Sequence, residues 1–78
     1  MIKEREVEVL IEPVELYKIL KFEGMVSSGG EAKSVIADHQ VHVNGIVETR
    51  KRKKIVSGDT IEFADEKIRI RLKTYANR

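Results

Sequence analysis

The residues with the clearest capacity for chemistry are the serines, glycines and lysine of the stretch SSGGEAKS, residues 27–34. Paired glycines followed by a lysine and a serine are typical of loops that bind phosphate through bare backbone N–H groups. A nucleoside-triphosphate loop requires a glycine, four residues, and then Gly-Lys-Ser/Thr. Gly24 and Gly29 have that spacing, but Gly30 occupies the lysine position and Lys33 comes three residues late. The spacing therefore argues against a nucleoside-triphosphate site.

The same stretch has the pattern of a helix start. Ser28 is expected to be the N-cap, with Glu31 completing a capping box by reaching back to Ser28. A cap does not explain Gly29 and Gly30, because glycine in a helical turn costs roughly 1 kcal/mol relative to alanine. A bare first turn would offer N–H groups and partial positive charge to a phosphate, with Lys33 one turn further along. A phosphate-facing helix start and a plain cap are both open interpretations.

Other residues with catalytic or metal-binding potential form no convincing site. His39 and His42 lie three residues apart in a chain without cysteine, which is a weak metal-site pattern. Ser27, Ser28 and Ser34 have no recognisable base partner, and no carboxylate pair is placed by the sequence in an apolar pocket. We therefore expect no catalytic residue, no metal and no cofactor, and predict that the protein is not an enzyme.

Charge is distributed unevenly along the chain. Residues 1–40 contain five Lys or Arg against eight Asp or Glu, whereas residues 41–78 contain ten against five. The basic half includes five consecutive basic residues at 50–54. Such a run favours an anionic partner such as nucleic acid or a lipid surface, although a solvated face is the ordinary alternative. Because its charges would lie on both faces of any strand, we expect it on an exposed strand end or arm.

Length and composition limit the class of protein. A chain of 78 residues predicts one small domain, residues 1–78, and the absence of cysteine is compatible with a reducing cytoplasm. No apolar run approaches membrane-spanning length, and the N-terminus MIKEREVEV is unlike a signal peptide. We expect a cytoplasmic monomer that does not contact membranes.

Hydrophobic periodicity predicts an α+β fold. The predicted elements are a strand at 5–11, a helix from Pro13 to about Phe22, a helix from about Ser28 to His39, an Asn-Gly hairpin at 41–48, and strands at 60–63 and 67–73. Of the four aromatic residues, Tyr17, Phe22 and Phe63 are assigned to the core, and Tyr75 is not.

The first and last strands have outward stripes of opposite charge. Glutamates alternate along the first strand, and lysines and arginines alternate along the last. We expect Glu6 or Glu8 to pair with Arg69 or Arg71 on a neighbouring strand, and we favour this role for the arginines over ligand binding.

Two consecutive segments, VELYKILKFEGMVSSGGEAKSVIADHQ and VHVNGIVETRKRKKIVSGDTIEF, resemble a known family. It is the RNA-binding domain named after small-subunit ribosomal protein S-four, whose helix pair and hairpin form the alpha-L motif. SGGEAK, V-x-VNG-x-x-E-x-R and GD are most similar to its short stand-alone bacterial members. The resemblance covers about residues 13–63. It implies a single domain of two short helices packed on a small antiparallel or mixed sheet of four to five strands.

The resemblance also implies a function and a site. Family members bind structured RNA in a groove between the start of the second helix and the hairpin, so ribosomal or transfer RNA, in ribosome assembly or translation, is the expected partner. The implied site residues are Lys21, Ser28, Gly29, Gly30 and Lys33 facing phosphate, Arg50, Arg52, Lys53 and Lys54 as a basic wall, and Asn44 with Gly45 shaping the hairpin.

Two departures from the family pattern leave the RNA class open. Pro13, Val14 and Glu15 replace an arginine-hydrophobic-aspartate signature, and Gly29 stands where many members have arginine. A protein-interaction adaptor that docks an acidic partner, or an RNA-free ribosomal protein surface, through its basic run is the alternative function. An accessory domain acting beside an RNA-modifying enzyme is a third.

Overall fold

In a computed structural model, which describes residues 2–73, the alternating and helical hydrophobic patterns of the sequence correspond to nine short helices and strands. The elements are β1 (Lys3–Val9), β2 (Val14–Glu15), α1 (Leu16–Phe22), α2 (Gly29–Ala37), β3 (Val41–Val43), β4 (Ile46–Val47), β5 (Lys54–Ile55), β6 (Thr60–Phe63) and β7 (Glu66–Leu72). No helix among these residues is long and apolar enough to cross a membrane. Tyr75 lies outside the described residues.

Five of the strands form one mixed sheet, in the order β1-β7-β6-β3-β4. β1 runs parallel to β7, and the other neighbours are antiparallel. A separate two-stranded antiparallel sheet joins β2 to β5. The predicted fold of two short helices on a mixed sheet is therefore confirmed.

The core is formed by aliphatic side chains from both helices and the sheet. The largest fully buried side chains are Leu16, Leu20, Ile36, Val41, Ile55, Ile61, Ile68 and Ile70. Ile68 and Ile70 alternate on β7 with exposed Arg69 and Arg71, as the sequence pattern predicts. Among residues 2–73 no polar or charged residue is buried, so the core encloses no polar site.

The start of the fold differs from the sequence prediction. β1 ends at Val9, opposite the last residue of its partner strand β7, and Leu10 and Ile11 are 67% and 74% exposed. The first helix begins at Leu16 instead of Pro13, because Val14 and Glu15 pair with β5. The second helix, Gly29–Ala37, is shorter than predicted.

Phe22 was assigned to the core and is 69% exposed. On a helix with a turn of 3.6 residues, Tyr17 and Phe22 lie on opposite flanks of the stripe formed by Leu16, Ile19 and Leu20. α2 packs near the Tyr17 flank, where Lys33 lies over the Tyr17 ring, and the Phe22 flank stays open. Tyr17 and Phe63 are half-buried against the core.

The opposite charges of β1 and β7 produce the expected ion pair. The parallel register places Glu6 beside Arg69 and Glu8 beside Arg71, and Arg71 reaches diagonally so that its Nη1 lies 3.3 Å from Glu6 Oε1. Within residues 2–73, Arg69 has no ion pair. The prediction is thus confirmed for the Glu6–Arg71 combination.

We expect the Glu6–Arg71 pair to contribute about 0.2–1 kcal/mol to the free energy of unfolding, because both side chains are exposed. A double-mutant cycle of Glu6→Gln and Arg71→Gln, followed by urea unfolding, measures the coupling. Glu8→Gln with Arg69→Gln is the matched control, and its coupling should be near zero. Equal coupling in both cycles would contradict the specific pairing.

Candidate nucleic-acid interface

Two successive serines form hydrogen bonds with Glu31 at the start of α2. Ser28 has extended backbone angles, φ −157° and ψ 165°, and its Oγ accepts a hydrogen bond from the Glu31 N–H at 3.0 Å. Glu31 does not reach back to Ser28 as predicted. Its Oε1 accepts from the backbone N–H and hydroxyl of Ser27, at 2.8 and 2.7 Å. These hydrogen bonds lower the pKa of Glu31 and hold its carboxylate towards the residue before the cap.

Neither glycine in the first turn of α2 is required by the protein's own packing. A Cβ built on Gly30 would meet only Ser28 Oγ, at 3.8 Å, and one on Gly29 would have ordinary contacts at 4.0 Å with Lys21 and Tyr17. Neither glycine has the positive φ that excludes other residues. The absence of side chains leaves the N–H groups of this turn accessible, which is the arrangement that binds phosphate at helix starts.

Lysines from both helices surround the first turn of α2. The Lys21 side chain approaches Gly29 from α1, with Cδ 4.0 Å from the position of a Cβ on that glycine. Lys33, one turn after Gly29, has its Nζ 4.7 Å from the centroid of the Tyr17 ring. The structure therefore brings Lys21 close to the bare turn and places Lys33 against the ring of Tyr17, which also lies beside that turn.

The basic segment 50–54 is attached to the first turn of α1 by its backbone. Glu15, the N-cap of α1, provides no side-chain cap. Instead the Leu16 N–H donates to the Lys53 carbonyl at 2.9 Å, and the Tyr17 N–H donates to the Lys51 carbonyl at 3.1 Å. β5 then pairs with β2, and Ile55 is fully buried. The exposed basic side chains of the segment are therefore attached to a backbone that is hydrogen-bonded to α1.

Contacts of Tyr17 link the first turn of α2 to the basic segment, and we call the whole set of residues the basic surface. It consists of Tyr17, Lys21, Ser28–Gly30, Lys33 and residues 50–54. Lys21 and Lys54 also line a single open groove with Tyr17. Arg52 and Lys54 are exposed and have no ion pair within residues 2–73. These cations are therefore available to a phosphate backbone.

Arg50, which is predicted to belong to the basic wall, forms an ion pair with a carboxylate of the protein itself. Its Nε and Nη2 donate to the two carboxylate oxygens of Glu48, at 2.9 and 3.1 Å, and its backbone N–H also donates to Glu48 Oε2. These hydrogen bonds raise the pKa of Arg50 and lower that of Glu48. This ion pair could have been predicted from the sequence, since Glu48 and Arg50 are only two positions apart.

Asn44 has a structural role away from the helix starts. Asn44 and Gly45 have φ values of 53° and 82° and form the two-residue turn between β3 and β4, as predicted. The Asn44 Nδ2 donates to Asp59 Oδ1 at 3.0 Å, and its Oδ1 accepts from the Thr60 N–H at 2.9 Å. The side chain therefore ties two turns together, and its contact with RNA stays a prediction.

The described residues show no alternative metal centre. Within 2–73 no group of three His, Asp or Glu side chains is arranged to hold a metal ion. A second open depression is lined by Gln40, His42, Glu62, Phe63 and Ala64. Among these residues, only His42 and Glu62 have side chains that commonly bind metal ions.

The family assignment follows from a domain model. A model described as the S4 domain matches residues 7–71, which include both helices, the hairpin, the end of β1 and most of β7. The chain belongs to the S4 domain family. This match confirms the resemblance seen in the sequence.

Curated relatives of this S4 domain protein are themselves short. The protein of Escherichia coli (strain K12) that bears the name "Putative RNA-binding protein YbcJ" is 53% identical over 57 residues, which are 73% of this chain and 81% of the relative. A protein of Bacillus subtilis (strain 168) named "Probable ribosome maturation protein RlbA" is 35% identical over 52 residues, covering 67% of this chain and 73% of the relative.

A solved structure supports the same assignment of the fold. The solution structure of YbcJ from Escherichia coli, described as revealing an alpha-L motif involved in RNA-binding, superposes with a TM-score of 0.63. The two chains are 42% identical, and the match covers 91% of this chain and 89% of YbcJ. The S4 domain described here therefore has the alpha-L arrangement of helices and hairpin.

Two residues of the S4 domain's basic surface, Tyr17 and Lys51, are not among the site residues predicted from the sequence. Tyr17 was assigned to the core, yet its ring contacts Lys33 and its N–H binds the basic segment. Lys51 was left out of the predicted site, yet its carbonyl accepts the hydrogen bond from Tyr17. An aromatic residue on the flank of the apolar stripe was the available signal for Tyr17. Nothing local indicated the carbonyl contact.

Proposed function

We propose that this protein binds structured RNA through the basic surface and performs no catalysis. One observation supports this most directly. Two carbonyls of the basic segment accept hydrogen bonds from N–H groups in the first turn of α1. Tyr17, whose N–H donates to the Lys51 carbonyl, also has its ring against Lys33 of α2. These contacts support the proposal that cations from three parts of the chain act on one RNA. The names of the relatives are consistent with RNA as the partner.

The proposed mode of binding follows from the chemistry of these groups. Lysine and arginine side chains offset phosphate charge, and the N–H groups of Gly29 and Gly30 donate hydrogen bonds to a phosphate oxygen in a fixed direction. Such contacts recognise the shape of an RNA backbone rather than its base sequence. Ser28 serves as the cap that orients the turn, with its Oγ bound to the Glu31 N–H.

The proposed target is ribosomal or transfer RNA in the cytoplasm, during ribosome assembly or translation. The ribosome maturation protein named among the relatives supports the ribosomal setting. We infer that the protein acts as a monomer and that a ribosome or an RNA-modifying enzyme is its larger partner. Crosslinking in cells followed by sequencing of the attached RNA tests the target. Recovery of acidic protein partners without RNA would favour the adaptor function instead.

We expect RNA affinity to fall steeply with salt concentration. If about four phosphates are engaged, the slope of log affinity against log salt should be near −3, taking roughly −0.7 to −0.9 per phosphate. Filter binding of a labelled ribosomal-RNA stem-loop across a potassium chloride series measures the slope. Absence of binding even at low salt would contradict the proposed function.

Two single substitutions serve as matched controls for the salt experiment. Arg52→Ala removes an exposed cation from the basic surface and should make the slope shallower by about one phosphate's share, roughly 0.7 to 0.9. Arg69→Ala removes a cation that is also exposed, from β7, and should leave the slope unchanged. The reverse ranking would place the RNA on the sheet instead of on the basic surface.

A further inference from the structure

Tyr17 connects three parts of the basic surface. It belongs to α1, its backbone N–H donates to the Lys51 carbonyl at 3.1 Å, and its ring faces α2. A Cβ placed on Gly29 would lie 4.0 Å from both Cδ2 and Cε2 of the ring. The aromatic ring therefore forms part of the floor beside the bare helix start.

The ring has a defined cationic partner. Lys33 Nζ lies 4.7 Å from the ring centroid, within the distance of about 6 Å at which an aromatic face attracts an ammonium group. Lys18 Nζ lies at 6.0 Å and is 3.6 Å from the Glu15 carboxylate. Lys33 has no ion pair within residues 2–73. The ring is therefore the main described contact that orients the Lys33 ammonium.

Orientation of this ammonium matters because of where Lys33 lies. Residues four apart on a helix share a face, so Lys33 and Gly29 are neighbours. An unrestrained lysine samples many rotamers, and fixing it on RNA binding would oppose association. A lysine already held over an aromatic ring beside the open turn loses less freedom when a phosphate arrives.

We propose that Tyr17 is a positioning residue for RNA binding, which holds the Lys33 ammonium beside the bare first turn of α2. This inference rests on the proposed function, since it concerns the affinity of the same surface for RNA. The ring, and not the phenol hydroxyl, performs this role. Within residues 2–73 the hydroxyl makes no hydrogen bond.

A double-mutant cycle tests the proposal with a fluorescein-labelled ribosomal-RNA stem-loop. Tyr17→Leu should weaken binding about three- to tenfold, the effect of releasing one side chain that must then be ordered. Tyr17→Phe should bind like the wild type. In a Lys33→Gln background, Tyr17→Leu should have no further effect. The proposal would be overturned if the losses of RNA affinity from Tyr17→Leu and Lys33→Gln were additive in the double variant. It would also be overturned if Tyr17→Phe lost as much RNA affinity as Tyr17→Leu.

A measurement without RNA separates this inference from the proposed function. In the free protein, protons on the Lys33 Cε should show an upfield ring-current shift in NMR spectra, retained in Tyr17→Phe and lost in Tyr17→Leu. Thermal unfolding of each variant confirms that the comparison is between folded proteins. An unshifted Lys33 in the folded wild type would overturn the positioning role even if RNA binds. Wild type that shows the shift but does not bind RNA would instead overturn the proposed function, and with it the proposal.

Discussion

Replacement of Gly30 by glutamate is expected to weaken RNA binding at least about tenfold while the fold is retained. The position has open space, with only Ser28 Oγ within 4 Å of a Cβ, and its φ is not positive. A carboxylate there would face the phosphate proposed to bind the first turn of α2. Two unit charges 4 Å apart near a protein surface repel by about 4 kcal/mol before screening by salt. Titration of a labelled RNA stem-loop measures the loss.

Gly30→Gln is the matched control, because glutamine has the same size without the charge. It should bind RNA within about threefold of the wild type, since a shape-only effect at an open position is small. Both variants should be as stable as the wild type or more so, because glycine is a poor helix residue. A plain cap predicts a different outcome for glutamate, since acidic residues are favourable in a first turn. Unchanged RNA affinity of Gly30→Glu would therefore remove the helix start from the site.

Ile55→Ala is expected to lower the free energy of unfolding by about 2–5 kcal/mol. Ile55 is fully buried in β5 and anchors the chain directly after the basic segment. Truncation removes apolar contacts and leaves a cavity in a small core. Because a domain of this size has only about 5–15 kcal/mol of stability, the melting temperature should fall by about 10 °C or more. Calorimetry and urea unfolding measure both quantities.

The adjacent residue provides the control for Ile55. Val56 is 40% exposed, and its truncation to alanine should change the free energy of unfolding by no more than about 0.5 kcal/mol. The two changes alter neighbouring positions on opposite faces of the chain. Equal effects would show that the segment is not anchored through Ile55.

Features determined by neighbouring residues could be predicted from the sequence. The Ser28 cap, the Asn44-Gly45 turn and the alternation along β7 all depend on contacts or backbone angles within a few positions. The position of Lys33 relative to Gly29 follows from helix geometry alone. For these parts of the fold and site, local pattern and final structure agree.

Features determined by distant partners could not be predicted. The exposure of Leu10 and Ile11 depends on where β7 ends, more than sixty residues away. The exposure of Phe22 depends on which flank of α1 the second helix covers. Glu31 is a local exception: it binds Ser27 instead of Ser28 because two donors of Ser27 converge on one oxygen, an arrangement that the spacing of a capping box does not specify.

The parallel pairing of β1 with β7 has a consequence for the order of folding. Lys3 pairs with Glu66, 63 positions later, and β7 is the only strand in the described sheet that contacts β1 by hydrogen bonds. During synthesis β1 leaves the ribosome before β7, so it has no partner strand in the described sheet until β7 has formed. Closing so long a loop is slow compared with forming the helix pair or the Asn-Gly hairpin. The nascent chain can therefore assemble the helix pair and the hairpin before β1 is paired.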